Sequence, residues 1–467
     1  MGIPLTHIDE VPPGERSSSI NSSITPDRSD SSAKEHTEEL EIGVQQNDTQ
    51  KAKSWTAQIP TFPEGGLHAW LTVLGGTMVT FCTFGVVQSF GVYQDYYARI
   101  ALPTRSPAQI SLIGSLQVFF VFAIGLPAGR LFDAGYFRVC LAGGSLLYIF
   151  SSFMLSIAQP GHYYQFLLSQ GIGMGIGMGF MFLPSLTITS HYFKVKRSLA
   201  MGIVIAGSSI GGIIYPILLN NVFSSSAGFG WGVRAVAFMD LGFLLTANCI
   251  MRTRLPPLKA SQNAGGATFL MVVKDLPFML YVLGAFLSFW GIFVPFFYLQ
   301  VHASLHGVDP VFVRYAITIM NGASLFGRTL PNFLADYIGP LNVMGPSAFI
   351  SASLIFGMFG ASDIAGVTTF AIFYGFFSGG VVSISAPAVG SFITHPDLSD
   401  FGIRIGILSF ALAFALLTGN PIAGALLTSN HIWYRPLIFA AVVVFAGSAC
   451  FALIWKSVST RRKSSKI

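Results

Sequence analysis

His191-Tyr192-Phe193-Lys194-Val195-Lys196-Arg197-Ser198-Leu199-Ala200-Met201-Gly202 runs straight on into Ile203-Val204-Ile205-Ala206-Gly207-Ser208-Ser209-Ile210-Gly211-Gly212. Three cations, Lys194, Lys196 and Arg197, are packed into four residues between two long apolar runs. A basic knot of this kind marks the cytoplasmic side of a membrane. Gly202 with Ala206, and Gly207 with Gly211, stand at the four-residue spacing that lets helix backbones approach closely in lipid. A soluble basic loop followed by a glycine-tolerant helix would show the same residues, so the rest of the chain decides.

Composition decides for the membrane. The 467 residues are 52% hydrophobic and only 10% charged, against about 25% charged in an ordinary soluble protein. The net charge of +6 is divided unevenly. Residues 1–64 hold 5 Lys+Arg against 11 Asp+Glu, and the remainder 21 against 9, so the basic character belongs to the apolar body. It therefore implies no nucleic-acid partner. Cys82, Cys140, Cys249 and Cys450 all fall inside apolar runs and read as small core residues rather than a disulfide or metal set.

Residues 1–64 are rich in Ser, Glu, Asp, Thr and Pro, and predict a disordered cytoplasmic tail. No apolar core follows Met1, so no cleavable signal peptide is expected. From Ala69 twelve apolar segments are each near the ~20 residues that a bilayer requires. They lie at 69–93, 108–130, 138–158, 163–190, 199–223, 233–253, 278–301, 311–335, 342–361, 366–393, 402–428 and 433–456. Alternating the faces puts fifteen lysines and arginines on the side of the 190s knot and five on the other, which predicts both termini to be cytoplasmic.

The organisation expected is an all-α membrane protein of twelve transmembrane helices. A six-helix bundle over 65–253 and another over 278–456 are joined by a basic cytoplasmic loop at 254–277, with a basic tail at 457–467. The halves echo each other at one offset. Asp133 and Asp336 are 203 residues apart, and so are Gly177-to-Pro184 and Gly380-to-Pro387, which argues for a duplicated unit of the kind found in secondary transporters.

Gly129-x-Leu131-x-Asp133-x-Gly135-x-x-Arg138, with Arg130 inside it, resembles the loop between helices two and three of the major facilitator superfamily. The resemblance implies that Asp133 caps or pairs across the halves and stabilises one access state, with Asp336 as a weaker copy. Arg130, Arg138 and Arg197 join these two as candidate conformational residues. Two further stretches are similar to signatures of the monocarboxylate porter family, in its fungal type. Pro63-Glu64-Gly65-Gly66-Leu67-His68-Ala69-Trp70 looks like that family's approach to the first span. The opening stretch, from Tyr192-Phe193 to Gly211, matches its second signature at every fixed position.

Arg328 lies inside the eighth segment, eight residues before Asp336 and so about 12 Å deep. An unpaired cation there is costly and marks a functional site by default, and its forked donors suit a carboxylate. A snorkelling side chain reaching the interface would also place an arginine here. The family resemblance implies an anion-binding arginine on this helix. Animal members carry an Asp four residues earlier and a Lys in the first helix, where this chain has Ser324 and Gln88. That departure argues against lactate-type proton-coupled transport and for a larger, less acidic substrate. Asn321 and Tyr298 complete the candidate substrate-binding set. Asp240, in the sixth span, is a candidate proton carrier and equally an acid lining a wet cavity.

Gly171, Gly173, Gly175, Gly177 and Gly179 are not a nucleotide loop, since no strand precedes them and no Lys-Ser/Thr follows. On a helix they form two faces at four-residue spacing. No metal spacing and no nucleophile elbow is present, so neither an enzyme nor a cofactor is implied. The function expected is alternating-access transport of a small organic solute, a carboxylate or acidic secondary metabolite, with or without protons. Export is favoured over uptake of a monocarboxylate or riboflavin-like vitamin. A non-transporting membrane sensor is the competing class. The plasma membrane is the expected location, with a vacuolar or other internal membrane as the alternative.

Overall fold

The computed structural model describes residues 63–254, 269–393, 401–427 and 434–462. Among these, every regular element is helical. The first seven long helices are α1 (Leu67–Ala101), α2 (Gln109–Asp133), α3 (Phe137–Ser156), α4 (Tyr163–His191), α5 (Arg197–Phe223), α6 (Gly228–Ile250) and α7 (Leu276–Gln300). They are followed by α8 (Pro310–Ile338), α9 (Pro340–Gly360), α10 (Ile364–Phe392), α11 (Phe401–Leu426) and α12 (Tyr434–Lys456). Eleven of the twelve are long and apolar enough to cross a membrane; α8 alone misses that criterion, although it is a continuous helix of 29 residues.

The reason is which way α8 faces. Asn321, Ser324, Arg328 and Asn332 are all 3% exposed or less, whereas Phe326, Leu330, Phe333 and Tyr337 lie on its outer surface. Its polar stripe is turned into the protein and its apolar stripe outward. That inverts the pattern of a soluble amphipathic helix and lowers the mean hydropathy without disturbing the span.

Helix starts follow ordinary capping chemistry. Ser106 and Gln109 form a reciprocal capping box before α2, with Pro107 in the first turn. Asp309 accepts from the backbone N–H groups of Val311 (2.6 Å) and Phe312 (3.2 Å) at the start of α8. Asp363 does the same for Gly366 (2.9 Å) at the start of α10.

Several boundaries differ from expectation. α1 continues past residue 93 to Ala101 through two π-turns, Phe81–Gly85 and Tyr97–Ala101. Arg99, expected in a loop, therefore sits in its last turn and pairs with Asp95 at 2.7 Å. Both partners are exposed, so the pair contributes at most about 1 kcal/mol. The last helix extends beyond 456 to Arg462, so the basic C-terminal segment begins as helix. Residues 1–62 and 255–268, which carry most of the expected tail and central loop, lie outside the described residues. Glu64, expected at the end of the tail, is part of the ordered body. All four cysteines are free, and Cys249 is exposed on the outer surface rather than in the core.

The two sets of six helices share several details. α4 and α10 each contain a proline near the end, Pro184 and Pro387, and each closes in a short 3-10 turn, Ile188–His191 and Val389–Phe392. The matched glycines do not make matched contacts. Gly177 packs on Tyr148 and Gly144 of α3, whereas Gly380 packs on Gly327 and Pro331 of α8. The alternating glycines of α4 do form two faces. Gly171, Gly175 and Gly179 meet Ile113, Gln117 and Phe120 of α2, while Gly173 and Gly177 meet Ser151 and Tyr148 of α3.

The most extensive contacts between the first six helices and the last six lie at two seams. On one side α5 packs on α8, where a Cβ at Gly202 would strike the Arg328 carbonyl and one at Gly212 would meet Asn321 at 2.9 Å. On the other side α2 packs on α11, with Gly129 against the Gly402 carbonyl and Gly125 against Ser409. Second helix to eleventh and eighth helix to fifth is the pairing that a twofold-related duplication produces.

Candidate substrate cavity and closing latch

A cavity lies between the two sets of helices, with an empty volume of ≈650 Å³ including its open mouth. Its walls are largely apolar, with five aromatic rings among the aliphatic side chains: Phe84 of α1, Phe122 of α2, Phe182 of α4, and Phe289 and Phe293 of α7. Phe84 packs on Phe182 (centroids 4.6 Å apart) and on Phe122 (5.4 Å), making one continuous ring surface. Polar groups are few: Thr80, Gln88, Ser208, Ser385, Ser409 and Arg328. A mostly apolar pocket with a handful of convergent polar groups is the usual architecture of a small-molecule site.

Arg328 is the one cation among the lining residues and is only 3% exposed. Its Nη1 donates to the Ile205 carbonyl (3.2 Å) and to Ser208 Oγ, both on α5. Its Nε has no hydrogen-bond partner. This is not a side chain snorkelling to an interface, because the guanidinium is held across the boundary between the two helix sets. Gln88 Nε2 donates to the Ser208 carbonyl (3.2 Å), while its Oε1 is unpartnered. α1 and α8 therefore both converge on Ser208, within the glycine-rich stretch of α5.

The other candidates for substrate contact sit elsewhere. Ser324 is buried against Gly379 of α10, where a Cβ would lie 2.6 Å from its Oγ. Asn321 donates to the Gly212 carbonyl (3.3 Å) in the α5–α8 seam. Tyr298 packs near Gly424 of α11. None of the three lines this cavity, and a fourth, Asp240, does not line it either. The glycines opposite them, Gly379, Gly212 and Gly424, leave room for close helix packing at these places. Thr80, Phe84, Phe122, Phe182, Ser385 and Ser409 were not singled out in the sequence. Thr80, Phe84 and Gln88, at successive four-residue intervals on α1, form a spacing that could have pointed to that wall.

The candidate conformational residues gather at the end of the molecule that carries the basic knot. Asp336, at the end of α8, accepts from the backbone N–H groups of Ser198 (2.8 Å) and Leu199 (2.9 Å) in the first turn of α5. A carboxylate there satisfies orphan donors and complements the positive end of the helix dipole. Asp133, at the end of α2, presses its carboxylate on Gly402 in the first turn of α11. The two aspartates thus stand at corresponding places, each at the end of one helix and beside the first turn of a helix in the other set. Arg197 lies over the Phe401 ring (5.3 Å) and against Gly390, so it too spans the sets. Arg130 and Arg138 are exposed.

The two stretches that resembled family signatures meet at this end. Glu64 accepts from the backbone N–H groups of Lys194 and Val195 (both 2.7 Å) and Lys196 (3.1 Å). Its own N–H donates to the Tyr192 carbonyl (3.1 Å). Trp70 packs edge-on against Phe193 with centroids 5.3 Å apart. Glu64 adopts φ +52° and Gly65 and Gly66 φ +157° and +89°, so the two glycines follow a residue already in the left-handed region. Glycine tolerates such φ values without steric strain, which explains the pair between the clamp and the helix start.

Residues 66–395 match the family described as Major Facilitator Superfamily. The chain belongs to the Major Facilitator Superfamily. Among curated relatives, the aspyridones efflux protein apdF of Emericella nidulans is 41% identical over 391 residues, covering 84% of this chain and 78% of that protein. The MFS transporter asaE of Aspergillus flavus is 37% identical over 403 residues, covering 86% and 89%. Among solved structures, the superfamily transporter FucP in its outward conformation aligns with a TM-score of 0.62, 16% identity, and coverage of 82% and 98%. That last likeness is one of fold. The cavity stands where the two helix sets face each other.

Proposed function

We propose that this member of the Major Facilitator Superfamily exports an acidic secondary metabolite by alternating access. The observation that carries the reading is Arg328, a buried forked cation lining an apolar cavity that includes five phenylalanines. Its free Nε donor and planar fork suit a carboxylate or an acidic enol. The five phenylalanines suit a flat apolar body of drug-like size. Neutral Gln88 leaves the cavity wall with one charge, that of Arg328, for one anion. The efflux and transporter names of relatives above 30% identity support export.

In this reading the protein is a fungal-type relative of the monocarboxylate porters, which the Glu64 clamp and the Tyr192–Gly211 stretch support. The helix sets 65–253 and 278–456 rock about the cavity, and Asp133, Asp336 and Arg197 close the basic-loop end. That end faces the cytoplasm, with the protein in the plasma membrane. The test compares metabolites inside and outside cells with and without the gene, complemented by the native chain or by Arg328→Gln. Loss of the gene is expected to trap an acidic metabolite inside, and Arg328→Gln to fail to release it. Leaving the other groups of a buried anion site unpaired costs roughly 2–5 kcal/mol, so affinity falls at least ~30-fold. Normal release by Arg328→Gln at equal surface expression removes Arg328 from the site.

A further inference from the structure

Asp240 of α6 is fully buried, 0% exposed, inside the first six helices and away from the cavity. Its Oδ2 accepts from the Tyr148 hydroxyl of α3 at 2.6 Å, and its Oδ1 from the Tyr215 hydroxyl of α5. From α1, Cys82 Sγ approaches the Asp240 backbone carbonyl at 4.0 Å, and Tyr93 adds a further hydroxyl-bearing ring on the same helix. These are the titratable groups that α1, α3 and α5 turn toward it. No lysine, arginine or histidine forms an ion pair with Asp240 among the described residues. Arg234, on its own helix, instead reaches Ser156 Oγ at 3.3 Å and stacks over Trp231. A carboxylate buried without a cation is costly as an anion, and two hydroxyl donors offset only part of that cost.

The cluster has two complete hydrogen-bond arrangements. With Asp240 ionised, both tyrosines donate to it. With Asp240 protonated on Oδ2, the acid donates to the Tyr148 oxygen, and the Tyr148 hydrogen turns to the Cys82 carbonyl, 3.1 Å away. Only one O–H bond forms, with the proton taken from water. That carbonyl lies in the π-turn Phe81–Gly85 of α1, an irregularity frequent at functional sites. The same stretch of α1 presents Thr80, Phe84 and Gln88 to the cavity, and Phe81 rests on the Tyr215 ring at 4.9 Å.

We propose that Tyr148, Asp240 and Tyr215 form a reversible proton-binding site, whose occupancy is passed through the Cys82 carbonyl to the cavity wall and couples transport to protons. The proton site belongs to the first six helices and the anion site, Arg328, to the last six. The proposal rests on the transport reading for its use, but the proton itself is measured independently. Purified full-length protein in lipid nanodiscs is titrated from about pH 5 to about pH 9, a range that brackets buried carboxylates, by infrared difference spectroscopy. The native chain is expected to show a carboxylic-acid carbonyl band that grows as pH falls. Asp240→Asn is expected to lose it, and Tyr148→Phe to keep it at a shifted frequency. A cysteine at Ser409, in a chain without its native cysteines, is expected to react with a polar thiol reagent at a pH-dependent rate that Asp240→Asn makes constant. A spectrum in which Tyr148→Phe leaves every carboxylic-acid band unmoved overturns the proposal, even where Asp240→Asn fails to fold. So does a labelling profile that Asp240→Asn leaves unchanged. Failure of Arg328→Gln to alter efflux, with the Asp240 band intact, would sink the metabolite reading and leave the proton site standing.

Discussion

Replacing Asp336 by Ala removes the carboxylate that ties the end of α8 to the start of α5. Two backbone donors, at Ser198 and Leu199, lose their partner. A hydrogen bond to a charged group contributes about 1.5–3 kcal/mol, and the loss of charge at a helix N-terminus adds about 0.3–1 kcal/mol. Asp336 is half-buried and water can reach the freed donors once the end opens, so the net effect is about 2–3 kcal/mol. At 1.4 kcal/mol per factor of ten, the closed-to-open ratio at the basic-loop end falls about 30–100-fold. The assay is the labelling rate of a cysteine at Ser409, on the cavity wall, by a membrane-impermeant thiol reagent applied from either side. The native cysteines Cys82, Cys140, Cys249 and Cys450 are replaced first. Asp336→Ala should accelerate labelling from the basic-loop side and slow it from the other. Equal rates in the two proteins, from both sides, would refute the latch.

The α5–α8 seam should be intolerant of a single methyl. Gly202→Ala drives a Cβ into the Arg328 carbonyl and Asn332 and is expected to cut transport at least tenfold; Gly143→Ala, which meets nothing within 4 Å, should match the native chain in the same efflux measurement. Glu64→Ala frees three backbone donors of the Lys194–Lys196 loop, and limited proteolysis should show that loop cut faster, with a fall in thermal stability equivalent to about 1–3 kcal/mol.

The fold was legible because lipid imposes an arithmetic on sequence: segment length, charge asymmetry and small-residue spacing are all counted along the chain. Even α8 was found that way, as a run that could span despite Arg328. Its lower mean hydropathy follows from the polar stripe that it buries against its neighbours. The latch was legible in part. Asp133 and Asp336 stand at a shared offset, but the sequence does not say that their partners are the first turns of α11 and α5. The cavity was the least legible. Arg328 stands out as a cation in an apolar run and Gln88 only through the family resemblance, whereas Phe84, Phe122 and Phe182 look like any other lipid-phase aromatic. Conversely Ser324 and Asn321 carry the same polar signature as Arg328, yet they lie in helix seams and not on the wall of this cavity. Polarity in a span shows that a residue faces protein, not which protein surface it faces.

The inverted face of α8 also bears on how the protein is built. A ribosome-bound segment samples lipid alone before its neighbours exist, and a central arginine opposes that insertion by about 2.5–3.5 kcal/mol. The buried stripe of α8 is satisfied only once α5 and α10 lie beside it, and α10 is made later. α5 is already in place when α8 emerges, with Ser208 and the Ile205 carbonyl ready to receive the guanidinium. The first six helices thus already hold the groups that receive Arg328 when the second six are made, and the residue proposed to meet the substrate is the one most dependent on that order.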